Sequence, residues 1–154
     1  MPKQSAGLLM TRRRNGTDEF LLVHPGGPLW SKRDHGVWSI PKGEYASDED
    51  PLAAACREFE EETGFAAAGP FVELTPVRLP SGKRVTAWIC HGDFDPEMIR
   101  SNRFTMEWPP RSGRRQEFPE VDRAGWFDVE EARRRISPGQ VPLVEEAAWK
   151  LTAR

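Results

Sequence analysis

The stretch from Gly43 to Phe65, G-E-Y-A-S-D-E-D-P-L-A-A-A-C-R-E-F-E-E-E-T-G-F, constrains this chain most, because it specifies a helix together with both of its ends. Asp50 is placed to accept the free amide protons of a first turn, and Pro51 follows where a missing N–H costs nothing. Gly64 suits the left-handed residue that stops a helix, and Phe65 the apolar contact that accompanies such a stop. Leu52, Ala55, Cys56 and Phe59 recur at i, i+3, i+4 and i+7, so they are expected to form a buried stripe. Glu58, Glu61 and Glu62 fall at i, i+3 and i+4 on a separate face. Like charges one turn apart cost a helix about 0.2–0.5 kcal/mol per close pair. Two readings are open: a solvated acidic face, or a set of oxygen donors for a hard divalent cation that neutralises the repulsion.

The whole stretch fits the pattern G-x5-E-x7-R-E-U-x-E-E-x-G-U, with U bulky and apolar. Gly43, Glu49, Arg57, Glu58, Phe59, Glu61, Glu62, Gly64 and Phe65 fill it without departure. In this the chain resembles the signature box of the Nudix hydrolases, which cleave nucleoside diphosphates linked to some other moiety. The resemblance implies an α/β fold, the Nudix-type α/β/α sandwich with a mixed sheet. It also implies a metal-dependent pyrophosphohydrolase that uses Mg2+, with Mn2+ as the alternative ion.

By the same resemblance Glu58 and Glu62 are expected to be direct metal ligands, and Glu61 a ligand or water-mediated partner. The backbone carbonyl of Lys42 is a further expected ligand, and Glu49 braces the loop or binds metal through water. Arg57 is expected to orient a box glutamate through a bidentate ion pair. Family members take their general base either from a box glutamate, here Glu61, or from a glutamate on a loop far along the chain. Glu117 and Glu120, before Trp126, are the loop candidates, and Glu120 is preferred; the plainer reading of either is a solvated carboxylate.

Around the box the chain reads as one domain, residues 1–154. Ala6 to Arg12 and Glu19 to His24 are apolar runs joined at Asn15-Gly16, a hairpin signal. P-G-G-P-L-W-S-K-R-D-H-G reads as a loop, and V-W-S-I-P-K-G-E as a short strand ended or bent by Pro41. Phe71 to Leu79 and Arg84 to His91 are expected to form a second hairpin. Phe94 to Asp122 loses periodicity, with a helical turn expected over Pro96 to Asn102 and a strand over Phe104 to Trp108. A strand from Ala124 to Phe127, a helix capped by Asp128 and running to Ile136, and a last helix from Pro142 to Leu151 complete the chain.

Net charge is −2 and no apolar run reaches a membrane span, so neither a membrane nor a nucleic-acid partner is expected. The N-terminal M-P-K-Q-S-A-G lacks an apolar signal core, and Cys56 and Cys90 have no metal spacing. Both are read as reduced thiols, and the location as cytoplasmic.

For the substrate, W-S-I-P-K-G-E resembles the corresponding stretch of the family's diadenosine-polyphosphate and diphosphoinositol-polyphosphate branches. Lys42, Lys32 and the cluster Arg111, Arg114 and Arg115 are candidates for extra phosphates, against the reading of a solvated charge run. Trp108, with Phe104 and Phe118, is a candidate for base stacking or for packing. His24, His35 and His91 are given no catalytic role. A small nucleotide-type molecule, either a dinucleoside polyphosphate or a nucleoside triphosphate, is the expected substrate. The competing readings are a non-catalytic nucleotide-binding module and a diphosphoinositol-polyphosphate hydrolase.

Overall fold

Strand β1 (Gln4–Arg14) runs into β2 (Thr17–Pro25) through Asn15 and Gly16, both at positive φ, 52° and 78°. That is the turn Asn-Gly favours, and its twist matches the antiparallel register from Arg14↔Thr17 to Thr11↔Phe20. The computed structural model describes residues 3–153; Met1, Pro2 and Arg154, the ends of the expected domain, lie outside the described residues.

The chain continues through β3 (Lys42–Glu44), α1 (Pro51–Thr63), β4 (Val72–Glu73), β5 (Val77–Arg78) and β6 (Arg84–His91). After a 3-10 turn at Pro96–Met98 come β7 (Arg103–Glu107), β8 (Arg115–Pro119), β9 (Val121–Phe127), α2 (Val129–Arg135) and α3 (Val141–Thr152). The main sheet runs β4-β6-β1-β2-β9, with β3 added to β1 and β5 to β6. β1 and β6 are parallel and the other pairs antiparallel, so the sheet is mixed.

Both faces of this sheet are covered, which is why β1 and β2 read as continuous apolar runs. Ala6, Leu8, Met10 and Leu21 pack with Ala54, Ala55 and Phe59 of α1. The alternate residues Leu9, Phe20 and Leu22 pack with Ala132 of α2, with Ile136, and with Leu143, Val144 and Ala147 of α3. The result is the expected α/β/α sandwich.

Several expected elements shift. The buried residues of α1 are Ala54, Ala55, Phe59 and Thr63, whereas Leu52 and Cys56 are only half-buried. The helix is turned so that Glu58 and Glu62 are drawn against β3, which no apolar periodicity reveals. Phe71 to Leu79 is two short strands, because Pro76 between them has no N–H to donate. The expected helical turn shrinks to Pro96–Met98, and β7 begins at Arg103.

β8 was not expected at all. R-Q-E-F-P has no apolar alternation and exists as a strand only by pairing with β7, from Arg103↔Pro119 to Glu107↔Arg115. Among the described residues no helix is long and apolar enough to cross a membrane. Cys56 and Cys90 are free thiols, the second buried.

The end of α1 is held by the chain that follows the 3-10 turn. Gly64 is left-handed, φ 83°, and its N–H donates to Glu60 O at 2.8 Å. The Asn102 N–H donates to Glu61 O at 2.8 Å and the Arg100 N–H to Thr63 O at 2.9 Å. Carbonyls that a helix end leaves unpaired are thereby satisfied by a distant segment.

Phe59 is fully buried between α1 and the sheet. Phe59→Ala is expected to lower the free energy of unfolding by about 3–5 kcal/mol, read from urea denaturation in metal-free buffer.

Candidate active site

Gly43 and Glu58 occupy one another's space. A Cβ on Gly43 would stand 2.1–2.3 Å from the atoms of the Glu58 carboxyl group, so only glycine allows that carboxyl to lie against β3. One turn later Glu62 is held at the same strand, its Oε1 accepting the Lys42 N–H at 3.3 Å.

Arg57 gathers the remaining acids of the stretch. Its Nε and Nη2 donate to the two oxygens of Glu49 at 3.1 and 3.2 Å, a bidentate grip. Its Nη1 reaches Glu58 at 3.0 Å and Glu61 at 3.4 Å. The two-pronged contact thus falls on Glu49, at the start of the helix, and the helix glutamates receive single bonds.

Glu61 and Glu62 line separate concavities, yet both are within electrostatic reach of Glu120. Glu62 lines a cleft of about 130 Å³ with Lys42, Glu120 and the apolar walls Val23, Val37, Ile40 and Val121. Glu61 lines a shallower concavity with Arg57, Glu60 and Asn102. Glu58, at i−4 from Glu62 and i−3 from Glu61, stands between them.

Glu120 arrives from the β8–β9 junction, 58 residues after Glu62 in the chain (120 − 62). Its N–H donates to Asn102 O at 2.8 Å, and its carbonyl accepts the Gly26 N–H at 2.8 Å. Glu117 instead points away on β8, mostly exposed and paired with Arg103 at 3.4 Å.

Charge is crowded in this cleft. Burial first, then the Glu58 charge, pushes the Glu62 carboxyl up to about 8. Glu58 is raised by burial and then by Glu61, and Glu120 by burial and then by Glu61. Burial lowers the Lys42 ammonium, as does neighbouring Lys83. Partly buried carboxylates that raise one another are a donor set suited to a hard divalent cation, whose charge reverses this repulsion. The chemistry of the group fits such an ion. Among the described residues, however, no three His, Cys, Asp or Glu side chains close into a ready-made cage, since Arg57 engages both Glu58 and Glu61.

The other candidates stand outside the cleft. Lys32 is exposed on the loop that follows β2, and His24 secures that loop. The His24 ring nitrogens lie 2.8 Å from Asp122 Oδ1 and 2.6 Å from Arg33 O. Arg111 and Arg114 ride the turn between β7 and β8 and Arg115 opens β8, without a carboxylate partner for their side chains among the described residues. Glu107 buckles that turn by accepting the N–H groups of Arg111 and Gly113 at 3.1 and 3.2 Å. Trp108 is half-buried at the start of the turn, where its carbonyl accepts from Gln116 at 2.7 Å. Phe104 packs over Gly27 and lies 6.0 Å from Phe118, ring centre to ring centre, so these two rings serve packing.

Gly26, Ser101 and Asn102 escaped the sequence reading. The only signal was the P-G-G-P run, which reads as a loop; a Cβ on Gly26 would stand 2.0 Å from Pro119 O, so the glycine marks a close backbone approach.

The raised Glu62 carboxyl has a consequence for stability without metal. The folded protein holds a proton there up to about pH 8, while the unfolded chain releases it near 4.5. Ionisation therefore opposes folding, and this contribution to stability is lost as pH rises between those values. In EDTA, Glu62→Gln is expected to match the parent below about pH 4.5 and to exceed it in Tm at pH 8 and above, by thermal denaturation across pH.

The sequence profile of the NUDIX domain matches residues 1–147. Two curated relatives are similar in sequence. An RNA pyrophosphohydrolase of Caulobacter vibrioides is 33% identical over 93 residues, covering 57% of this chain and 47% of the relative, so the chain spans about half that protein's length. A bis(5'-nucleosyl)-tetraphosphatase (asymmetrical) of Rattus norvegicus is 32% identical over 111 residues, covering 64% of this chain and 71% of the relative. Among solved structures, a C. elegans Ap4A hydrolase in a binary complex superposes with a TM-score of 0.67 at 20% identity, covering 99% of both chains.

Proposed function

The chain belongs to the NUDIX family, and from that premise we propose that it is a metal-dependent pyrophosphohydrolase cleaving a phosphoric anhydride in a nucleoside diphosphate-X substrate. A dinucleoside polyphosphate or a nucleoside triphosphate is the preferred substrate. The observation that carries the reading is the meeting of Glu62, Lys42 and Glu120 in one small cleft, with Glu58 pressed against Gly43 beside it. The rat relative, named for a dinucleoside tetraphosphate, supports the choice of substrate.

In this reading Glu58 and Glu62 hold Mg2+ (or Mn2+), with Glu61, the Lys42 carbonyl and Glu49 as further donors, direct or through water. When bound, the ion neutralises phosphoryl oxygens and acidifies the attacking water. The Lys42 ammonium, half-buried beside Glu62, binds a phosphoryl oxygen. Glu120 accepts the proton of the water, and its raised carboxyl is a stronger base than an ordinary one. Glu61 is the alternative base. Arg57 keeps Glu49, Glu58 and Glu61 aligned. Arg111, Arg114, Arg115 and Lys32, on the β7–β8 hairpin and the loop after β2, bind phosphates remote from the bond that breaks, with Trp108 at the start of the same hairpin turn. The apolar walls of the cleft limit the water that competes with substrate.

Glu58→Gln and Glu62→Gln are each expected to cut Mg2+-dependent phosphate or nucleotide release about 10²-fold or more while the fold persists in EDTA. Parent-like turnover in either variant would remove that glutamate from the metal site, whereas absence of turnover by the parent across dinucleoside polyphosphates, nucleoside triphosphates and diphosphoinositol polyphosphates would leave the non-catalytic module as the reading. Replacing Arg111, Arg114 and Arg115 together by Ser should raise KM more for diadenosine tetraphosphate than for a nucleoside diphosphate sugar. An equal rise for both would remove these arginines from phosphate binding.

A further inference from the structure

We propose that Ser101 is a positioning residue for Glu120, acting through the backbone and not on the substrate. The inference rests on the reading of Glu120 as the group that accepts the proton of the attacking water.

Ser101 lies between the 3-10 turn and β7, where nothing in its sequence neighbourhood marks it. Its hydroxyl accepts the Val121 N–H at 3.0 Å and donates to Asn102 O at 2.8 Å. The same Asn102 carbonyl accepts the Glu120 N–H at 2.8 Å, and the Asn102 N–H donates to Glu61 O at 2.8 Å. On the opposite side the Glu120 carbonyl accepts the Gly26 N–H at 2.8 Å.

Both backbone polar groups of Glu120, and the amide that follows it, are therefore engaged. Two of the three are held by residues 101–102, which hang from the helix that carries Glu58, Glu61 and Glu62. One residue and two hydrogen bonds separate the Glu61 peptide from the Glu120 peptide. On the opposite side Gly26 approaches closely, since a Cβ there would stand 2.0 Å from Pro119 O.

Ser101 is the member of this network that works through its side chain, and its hydroxyl joins the two arms. Without it the Val121 N–H loses its acceptor and Asn102 O loses a donor. The segment carrying Glu120 then keeps the Asn102 bond and the flanking pairings Arg103↔Pro119 and Pro25↔Val121, but loses the tie between Val121 and residue 101. A displacement of about 1 Å in a reacting group costs up to 10²-fold in rate, so this tether governs catalysis without touching substrate.

The test uses the full chain with Mg2+ and the member of the nucleotide panel with the highest kcat/KM, in the variants Ser101→Ala, Ser101→Thr, Glu120→Gln and Ser101→Ala/Glu120→Gln. Ser101→Ala is expected to lower kcat about tenfold or more with KM within about twofold, and Ser101→Thr to restore it. In the Glu120→Gln background the same change should cost less than about twofold, because the group it positions is already gone. Amide exchange supplies a readout independent of turnover: Val121 and Glu120 should exchange about tenfold faster in Ser101→Ala, with Leu22 of β2 unchanged.

An equal loss of kcat from Ser101→Ala in both backgrounds, or unaltered exchange at Val121, overturns the positioning role alone. Parent-like kcat in Glu120→Gln overturns the reading of Glu120 and this inference with it.

Discussion

The structure of the site depends on one tolerated conflict: negative charge is held against a β-strand where water cannot fully reach it. Glu58 lies over Gly43 in space that any side chain would fill, and Glu62 is fastened one turn on by the Lys42 amide. Neither carboxylate gains from this position by itself. Burial and mutual repulsion raise both, and Arg57 offsets part of the cost for Glu58 from the exposed side. A protein stores such crowding where a cation or a phosphate is to be handled, since a bound ion converts the repulsion into attraction.

Around that conflict the sandwich acts as a vice. The sheet is covered on both faces, so β1 and β2 cannot shift register without exposing apolar residues, and β3 is pinned beside β1 from Ser5↔Glu44 to Gly7↔Lys42. Helix α1 is anchored through Ala54, Ala55 and Phe59, and the small alanines let it approach closely. The row of glutamates inherits its position from this packing. The other wall of the cleft is built differently. Glu120 belongs to no helix and is registered to α1 by peptide hydrogen bonds through Asn102 and to Gly26, the residue that follows β2.

The hairpin of β7 and β8 adds a third kind of construction. It is a two-stranded sheet apart from the main one, seated on Gly26 and Gly27, where Pro119 and Phe104 make contacts that exclude side chains. Its turn is held by Glu107, so the arginines at its tip are displayed on an ordered frame. The acids of the site lie on α1 and at the β8–β9 junction, whereas the arginines lie at the end of the hairpin where β7 turns into β8.

The amino-acid sequence by itself determined the helix and both its ends, the Asn15-Gly16 hairpin, the α/β class and the membership of Glu58, Glu61 and Glu62 in one helical turn. These are local matters, decided by capping, by turn chemistry and by periodicity over a few residues. Only the tertiary structure decided that the helix is rotated toward Ala54, that Glu61 and Glu62 face different concavities, and that Arg57 gives its two-pronged grip to Glu49. It also decided that Glu120 and not Glu117 enters the cleft, and that Ser101, Asn102 and Gly26 hold it there. The reason is the same in each case: these relations join residues from separate elements through backbone groups or through space a glycine leaves open. Every residue type carries the same backbone groups, and empty space leaves no mark in a sequence.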